Sequence, residues 1–201
     1  MRLSAAVTDL DMGIIIVMTG FDSMSIISSL ITGFVSAICA STVFVLMMYG
    51  LRPKLKLSSK IAKTTFNGKT VYAFKVVNIG TRDACSIDAE LFIIQPHPVE
   101  GGTGYNIIEL PLVRRKLFHM RPLSKIGEKF GGKFEFITIE DLEAEWSKFQ
   151  NSYLLFRVYA QDSISLFSRV FTSEFESQED TIVAGRFAKG ASMKIALPNE
   201  N

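Results

Sequence analysis

Hydrophobic and polar residues divide the chain into two parts. Met24 to Gly50 is a run of 27 residues without a charged side chain. A helix rises about 1.5 Å per residue, so about 20 apolar residues are enough to cross the hydrocarbon of a bilayer. Beyond residue 63, segments in which apolar and polar residues alternate are typical of β-strands. The pattern therefore predicts a single transmembrane α-helix followed by a mainly-β domain.

Two other kinds of segment share part of this composition. A buried core helix seldom runs this long without a polar face. A cleaved signal peptide has a basic start, an apolar run of about 7 to 15 residues and a small-residue cleavage site. Here Arg2 is the one cation before the run, and Asp9, Asp11 and Asp22 are acidic. A retained membrane span is therefore the prediction.

Charges beside the span predict its orientation. Five cations and no acid follow it, at Arg52, Lys54, Lys56, Lys60 and Lys63. Such a flank stays in the cytoplasm under the positive-inside rule. Cys39 and Cys85 are too isolated to indicate a disulfide framework, which is consistent with a reducing compartment. We expect a single-pass protein of the cell inner membrane, with its N-terminus outside and its C-terminal domain in the cytoplasm.

Two segments flank the predicted span, residues 1–23 and residues 51–63. The first contains an apolar stretch, Met12 to Phe21, whose helix would reach about 15 Å and is too short to cross. It is expected either to lie on the outer surface or to re-enter the membrane, and a re-entrant turn implies an oligomer around a pore. Residues 51–63 are interpreted as a basic linker in which Pro53 ends the helix.

Residues 64–201 are predicted to form the cytoplasmic domain. Strands are expected at Val71–Asn78, Ala84–Gln95, Asn106–Val113, Lys116–Met120, Lys133–Ile137, Tyr153–Gln161, Ser165–Phe175 and Ser192–Leu197. In the second of these, alternation places one set of side chains on one face, namely Cys85, Ile87, Ala89, Leu91 and Ile93. Thr138 and Asp141 resemble a capping box for an amphipathic helix at Ile139–Phe149. Many short strands with one short helix predict a β-sandwich.

The chain contains few residues of the kinds that catalyse reactions or bind metals. It has two histidines, His97 and His119, two cysteines, and no HExxH, CxxC, GxSxG or phosphate-binding glycine motif. His97 lies between two prolines and is interpreted as an exposed turn residue. Residues 101–104 are glycine-rich but lack the Lys-Ser/Thr pair of a phosphate loop, and they are interpreted as a hairpin tip. We therefore expect neither catalysis nor a cofactor.

A basic cluster with an aromatic residue inside it is the most distinctive local charge. The whole chain has Lys+Arg 22 against Asp+Glu 20, so no global field indicates nucleic-acid binding. The predicted ligand-binding residues are Arg114, Arg115, Lys116, Phe118, His119 and Arg121, and the basic run continues to Lys125, Lys129 and Lys133. Cations neutralise phosphates and a ring stacks on a base, which favours a single-stranded nucleic acid. The alternative is a solvated strand edge whose charges prevent aggregation.

One side of the predicted span is small and weakly polar. Gly33, Ala37 and Ser41 recur at four-residue spacing. Small residues let helices approach closely, and hydroxyl groups can line a narrow wet passage. The pattern is therefore compatible both with dimerisation of a membrane anchor and with the lining of a pore. The predicted pore-lining residues are Thr19, Asp22, Ser29, Gly33, Ser36 and Ala40.

Residues 19–22, Thr-Gly-Phe-Asp, lie between the short apolar stretch and the long span. This order resembles the pore loop of potassium channels, although the second glycine of that family's filter is missing. The resemblance implies acidic rings at an outer mouth, formed by Asp22 and also by Asp9 and Asp11, that favour cations. The alternative is that these acids keep the N-terminus in water.

Four stretches of the chain carry a wider resemblance: RPKLKLSSKIAK after the span, YAFKVVNIGTRDA, TIEDLEAEW and YLLFRVYAQDSISLFSRVF. They resemble a group of short bacterial membrane proteins whose soluble part is an immunoglobulin-like sandwich, broadly similar to the cytoplasmic domain of inward-rectifier channels. Within that group, the chain resembles the membrane effectors of Hailong anti-phage systems, which are encoded beside a nucleotidyltransferase. The resemblance covers roughly residues 51 to 197.

This resemblance implies a function. Such an effector is a homotetrameric, channel-like protein whose cytoplasmic domains bind single-stranded oligodeoxyadenylate or another nucleotide signal, and the ligand keeps the pore inactive. Loss of the ligand during infection opens the pore and arrests growth. No ligand residue is carried over by a motif, so the basic and aromatic residues named above come from charge alone. The alternative function is a membrane-anchored protein-binding module without a pore.

Overall fold

The computed structural model of the protein describes residues 4–123 and 132–197, with side chains from residue 24 onward. This part of the chain divides into two compact units. The first is helical and ends at Gly50, and the second is β-rich and begins at Leu51.

The first unit is one helix, α1, which extends over Ser4–Gly50 and has 47 residues. At about 1.5 Å per residue it is about 70 Å long, which is more than twice the hydrocarbon thickness of a bilayer. Its part Met24–Gly50 is long and apolar enough to cross a membrane. Large side chains there are exposed, with Leu30 at 69 % and Phe34 at 68 %. An apolar surface of this extent is typical of contact with lipid or with other helices.

The helix differs from the prediction for residues 1–23. The backbone of Ser4–Gly50 is one continuous helix, so within the described chain no turn separates residues 12–21 from the span. The structure thus contains neither a separate surface helix nor a re-entrant turn over these residues. Gly20 interrupts the apolar pattern, but a single glycine inside a helix costs only about 1 kcal/mol relative to alanine. The side chains of Thr19 and Asp22, predicted to line a pore, lie outside the described residues.

Strands and short helices make up the second unit. In chain order these are β1 (Leu55–Leu57), β2 (Ile61–Phe66), β3 (Lys69–Asn78), β4 (Ala84–Val99), β5 (Gly102–Leu110), β6 (Lys116–Met120), β7 (Lys133–Thr138), α2 (Leu142–Ser147), β8 (Tyr153–Asp162), β9 (Ser168–Phe175), α3 (Gln178–Thr181), β10 (Ile182–Ala184), β11 (Arg186–Phe187) and β12 (Ile195–Ala196). The strands form two five-stranded sheets and one two-stranded sheet. The predicted fold, an apolar helix followed by a mainly-β, immunoglobulin-like sandwich with a short helix, is confirmed.

Each large sheet is built around one long strand. In the first sheet, β3 pairs antiparallel with β1 and β2 along one edge and with β7 along the other, while β10 pairs parallel with β2. In the second sheet, β5 and β6 follow one another along one edge of β4, and β8 and then β9 lie on its other side. Among the described elements, β5, β6 and β9 are therefore edge strands of the second sheet.

Aromatic rings from both sheets meet in the core. Phe74 of β3 stacks on Phe156 of β8 with ring centroids 4.8 Å apart, and Phe136 of β7 lies 5.9 Å from Phe156. Leu91 and Ile93 of β4 are fully buried. Burying such a side chain contributes about 1.5–3 kcal/mol. Because a shift of one residue would expose all of them, this pattern fixes the face that each strand turns inwards.

The outer face of the first sheet is covered by the C-terminal part of the chain. β3 is buried on both faces over most of its length. Phe187 of β11 packs against Ala62 and Ala73 on that outer face. The ammonium group of the buried Lys75 donates hydrogen bonds to two backbone carbonyls of the segment between β11 and β12. The second sheet has no comparable cover among the described residues.

The folded unit begins earlier than predicted. β1 and the start of β2 lie within residues 51–63, where a linker was expected. Leu55 and Ile61 are buried in the core, whereas Lys54, Lys56 and Lys60 are exposed. The linker prediction was wrong from residue 55 onward, because the lysines lie on the solvent side of short strands.

A β-bulge near the start of β4 changes which side chains face the core. The pairing with β8 shifts register between Cys85 and Asp88, and Ser86 has a positive φ of 48°. As a result Ala84 is buried together with Ile87, while Cys85 is only half-buried. The predicted alternation is correct after the bulge and wrong before it.

Two local predictions also need correction. His97 lies within β4, opposite Gly104 of β5, and is not a turn residue; the hairpin tip predicted nearby is confirmed, with Gly101 at a φ of 87°. The helix α2 is shorter than the predicted Ile139–Phe149. Its N-cap is Asp141, whose carboxylate accepts a hydrogen bond from the Ala144 amide at 3.2 Å, so the chain is not yet helical at residue 139.

Candidate ligand-binding surface

β6 and the residues beside it present the predicted basic cluster at an edge of the second sheet. Leu117 lies opposite Ile87 of β4 and packs on the core, and Met120 is buried. Phe118 and His119, between these two residues, are exposed. The strand is therefore held by two apolar side chains and turns its polar and aromatic side chains outwards.

Phe118 is exposed to an unusual degree. At 89 % it is the most exposed large apolar side chain of the described chain, and its ring contacts His119 edge to face, with centroids 6.3 Å apart. Arg114 and Arg121, just outside the strand, are also exposed. No ion pair holds either of them within the described residues. An open ring between free cations is a suitable surface for stacking a base and neutralising phosphates.

Arg115, one of the predicted ligand-binding residues, pairs with three acids of the sheet face. Its guanidinium donates hydrogen bonds to Asp88 at 2.8 Å and to Glu109 at 2.9 Å, and it also contacts Glu90. The hydrogen bond to Asp88, together with the charges of all three acids, raises the pKa of Arg115 further above its ordinary value. Three acids of the protein thus offset the charge of Arg115, so we expect it to contribute less to a phosphate contact than Arg114 does.

The ion pairs around Arg115 continue over the outer face of the second sheet. Arg157 of β8 pairs with Glu90 at 2.5 Å, and its guanidinium lies 5.1 Å from the ring centroid of Phe92. Lys116 lies 3.9 Å from Asp88. This part of the face therefore holds three cations and three acids, and its net charge is close to zero.

The predicted cluster thus divides into two groups. Arg114, Phe118, His119 and Arg121 remain exposed at the β6 edge, whereas Arg115 and Lys116 belong to the ion pairs of the sheet face. Of the more distant cations, Lys133 starts β7 in the other sheet, and residues 125 and 129 lie outside the described residues. The sequence placed the cluster on one strand but gave no sign of the acids on β4 and β5.

The predicted pore-lining residues of the span share one side of α1. With about 100° per residue, Ser29, Gly33, Ser36 and Ala40 fall within an arc of about 60°. Their positions are exposed, and no side chain lies within 4 Å of the place where a Cβ on Gly33 would be. This side of the helix is therefore open to close approach by another helix.

The opposite side of the span is bulky, and other hydroxyls of the span are already hydrogen-bonded. Phe34 and Ile38 project from that side and are exposed. The hydroxyl of Thr42 donates to the Ile38 carbonyl at 2.8 Å, and that of Ser28 donates to the Ser25 carbonyl at 3.0 Å. Such bonds let a hydroxyl lie in hydrocarbon. Size, rather than charge, distinguishes the two sides of the helix.

A cavity that sequence reasoning missed lies between the two sheets. It has a volume of about 430 Å³ and is lined by β1 and by β9, an edge strand of the second sheet. Its cations are Lys56 and Arg169, and the Arg169 guanidinium lies 5.1 Å from the ring centroid of Phe171. This cavity could not be predicted from the sequence, because the residues of β1 were interpreted as part of a linker. Among the described residues no three His, Cys, Asp or Glu side chains are grouped to hold a metal.

The chain was also compared with known proteins. It consists of an apolar helix followed by a β-sandwich with one exposed basic and aromatic edge. No protein-family model matches the chain, and no curated protein matches it.

Proposed function

We propose that this protein is a homo-oligomeric, channel-like membrane effector whose cytoplasmic sandwich binds a single-stranded oligonucleotide. The observation that carries the proposal is the composition of Met24–Gly50. The segment is uncharged, and one of its sides holds small and hydroxyl-bearing residues while the other is bulky. Helices of this kind associate through the small side, and a ring of them encloses a narrow passage lined by hydroxyls.

The basic flank supports the orientation of this assembly. Lys54, Lys56 and Lys60 follow the span and are exposed. Under the positive-inside rule this flank lies on the cytoplasmic side of the inner membrane, with the sandwich next to it. The sandwich then meets ligands of the cytoplasm.

The β6 edge supports an anionic ligand with planar bases. Phe118 offers a ring with 89 % of its surface exposed, and Arg114 and Arg121 lie at either end of the strand. Stacking on a single exposed ring is worth about 1–3 kcal/mol per base. Several copies of this edge around a symmetry axis would give a continuous binding rim, so oligomerisation strengthens the interaction.

The resemblance to membrane effectors of Hailong-type systems supplies the biological setting. In that setting, oligodeoxyadenylate made by the neighbouring nucleotidyltransferase holds a tetramer closed. Removal of the ligand during phage infection opens the passage and arrests growth.

Single-channel recording of the purified full-length protein in planar bilayers tests the proposal. Stepwise currents should appear without ligand and should decrease when oligodeoxyadenylate is added on the side of the sandwich. An oligothymidylate of equal length controls for charge alone. A protein that is incorporated in the bilayer and gives no current under either condition would contradict the channel function.

A second candidate function is a membrane-anchored module that binds another protein. The uncovered outer face of the second sheet and its edge strands β5, β6 and β9 favour it, because an exposed edge can pair with a strand of a partner. Exchange of residues 24–50 for an unrelated apolar helix separates the two candidates. The anchored module would keep its activity after the exchange, whereas the channel would lose growth arrest.

A further inference from the structure

The turn between β8 and β9 is rigid and carries two exposed aliphatic side chains. The buried carboxylate of Asp162 accepts hydrogen bonds from the Ile164 amide at 3.0 Å, the Ser165 amide at 2.8 Å and the Ser165 hydroxyl at 3.0 Å. The Leu166 amide donates to the Asp162 carbonyl at 3.2 Å. Ser165 is buried, while Ile164 and Leu166 are 67 % and 64 % exposed. The hydrogen bonds thus fix a turn that holds both aliphatic side chains in solvent.

The conformation of this turn disfavours the residue found there. Leu166 has a positive φ of 59°, which is unusual for a leucine and is tolerated far better by asparagine or glycine. A large aliphatic residue at this position gains nothing from the core, because it is exposed. Strain of this kind, at an exposed apolar residue, indicates a role outside the folding of the domain.

The turn lies near the first residues of the β-rich unit. The guanidinium of Arg52 lies 5.8 Å from the ring centroid of Phe167, at the end of the turn. A second exposed aliphatic, Ile79, donates its amide to the Lys54 carbonyl at 2.9 Å. Lys54 is four residues after Gly50, which is at most about 14 Å of extended chain. Ile79 and the turn are therefore tethered to the end of the helix by a few residues.

We infer that Ile79, Ile164 and Leu166 insert into the interfacial layer of the membrane that α1 spans, and that Lys54 and Lys56 contact its anionic headgroups. The inference rests on the membrane attachment in the proposed function. Exposed aliphatic residues beside exposed lysines are typical of surfaces that bind an anionic lipid layer, where each cation near the surface contributes about 1 kcal/mol. The covalent tether to a span selects the lipid surface over a soluble partner.

Quenching by lipids with brominated acyl chains tests this inference in the full chain. Tryptophan is introduced at the turn (Leu166→Trp) and, as a control, at the β4–β5 hairpin (Val99→Trp). Val99 is at the far end of β4, about 50 Å from the end that pairs with the residues next to the turn. Val99 is also exposed, and the natural Trp146 is buried, so its signal is subtracted with the unsubstituted protein. In vesicles the tryptophan at residue 166 should emit at shorter wavelength than in solution, and brominated lipids should lower its fluorescence intensity. The tryptophan at residue 99 should show neither change.

The outcomes separate the inference from the proposed function. If the protein does not float with vesicles in a density gradient, both fail. If it floats but the residue at 166 is not quenched, the inference alone is overturned; a shift to shorter wavelength without quenching would place the turn against protein instead. Vesicles with phosphatidylglycerol should give stronger quenching than vesicles of phosphatidylcholine alone. Equal quenching would contradict the proposed contacts between the lysines and anionic headgroups.

A second variant excludes a merely structural role for the leucine. Asparagine adopts a positive φ readily, so Leu166→Asn should leave the thermal unfolding of the sandwich unchanged or raise its midpoint. Attachment of the turn to lipid should be lost in the same variant, measured by quenching of a tryptophan placed at residue 164. A lower midpoint would show that Leu166 supports the fold and would overturn the inference.

Discussion

Lys75 shows at the scale of single residues how a buried charge can hold a segment distant in sequence. Its ammonium group donates to the carbonyls of Ala188 at 2.6 Å and Ser192 at 2.7 Å, and it lies 5.6 Å from the ring centroid of Phe187. Lysine is rarely buried unless it is paired. Here the pairing ties the C-terminal hairpin to the outer face of the first sheet. This role could not be predicted from the sequence, because the acceptors of Lys75 lie more than a hundred residues later in the chain.

Replacing this lysine should loosen the C-terminal hairpin. Lys75→Met leaves the carbonyls of two half-buried residues without their donor, and we expect a loss of about 1–3 kcal/mol in the free energy of unfolding. Hydrogen exchange should be faster at residues 188–192. Lys194→Met, which removes an exposed lysine of the same hairpin, is the matched control. Equal protection in the two variants would contradict the role of Lys75.

The same residue predicts a dependence of stability on pH. Burial lowers the pKa of Lys75 below its ordinary value of 10.5. Between the lowered pKa and 10.5, the unfolded chain binds the proton and the folded chain does not, so the stability contributed by Lys75 rises with pH in that range. The difference in unfolding free energy between the unsubstituted protein and Lys75→Met should therefore increase as the pH is raised towards 10.5. A decrease would contradict the direction of the shift.

Arg114 and Arg115 are neighbours in sequence with different expected roles. Arg114→Ala should weaken the binding of oligodeoxyadenylate and lower the slope of log K against log salt concentration by about 0.7, because one phosphate contact is lost. Arg115→Ala should leave that slope unchanged and lower the midpoint of thermal unfolding, since three acids lose their shared cation. Equal effects of the two variants on the slope would reject the division of the cluster.

Whole elements were predictable where one physical pattern dominates. The alternation of apolar and polar residues located β4 and β8, and the absence of charge located the apolar helix. Elements that depend on distant partners were missed. β1 has only three residues and β10 pairs parallel with β2, more than a hundred positions earlier in the chain, so neither leaves a local signal. The bulge at Ser86 likewise depends on the register of β8.

At the level of the helix, the small side should drive self-association. Gly33→Leu places a branched side chain where helices approach, and we expect the oligomeric fraction in detergent to fall, as measured by crosslinking or by mass photometry. Ile38→Leu, on the opposite side, changes neither size nor polarity and serves as the control. An unchanged oligomeric fraction for Gly33→Leu would exclude this side of the helix as the interface.

At the scale of the whole molecule, the chain combines a helix that suits lipid with a sandwich that suits water. The two parts are compact units of their own, joined at Gly50 and Leu51. The candidate site was predicted only in part. The row of cations and Phe118 was visible in the sequence, but the acids on β4 and β5 that neutralise Arg115 became neighbours only through folding. The proposed channel depends above all on the helix crossing a membrane.

Extraction of membranes from cells that express the full-length protein tests this most directly. After an alkaline carbonate wash, the protein should remain in the membrane pellet, and protease should cleave the sandwich only once the inner membrane has been opened. Recovery of the intact protein in the supernatant, or cleavage of the sandwich by protease added outside sealed spheroplasts, would contradict the account.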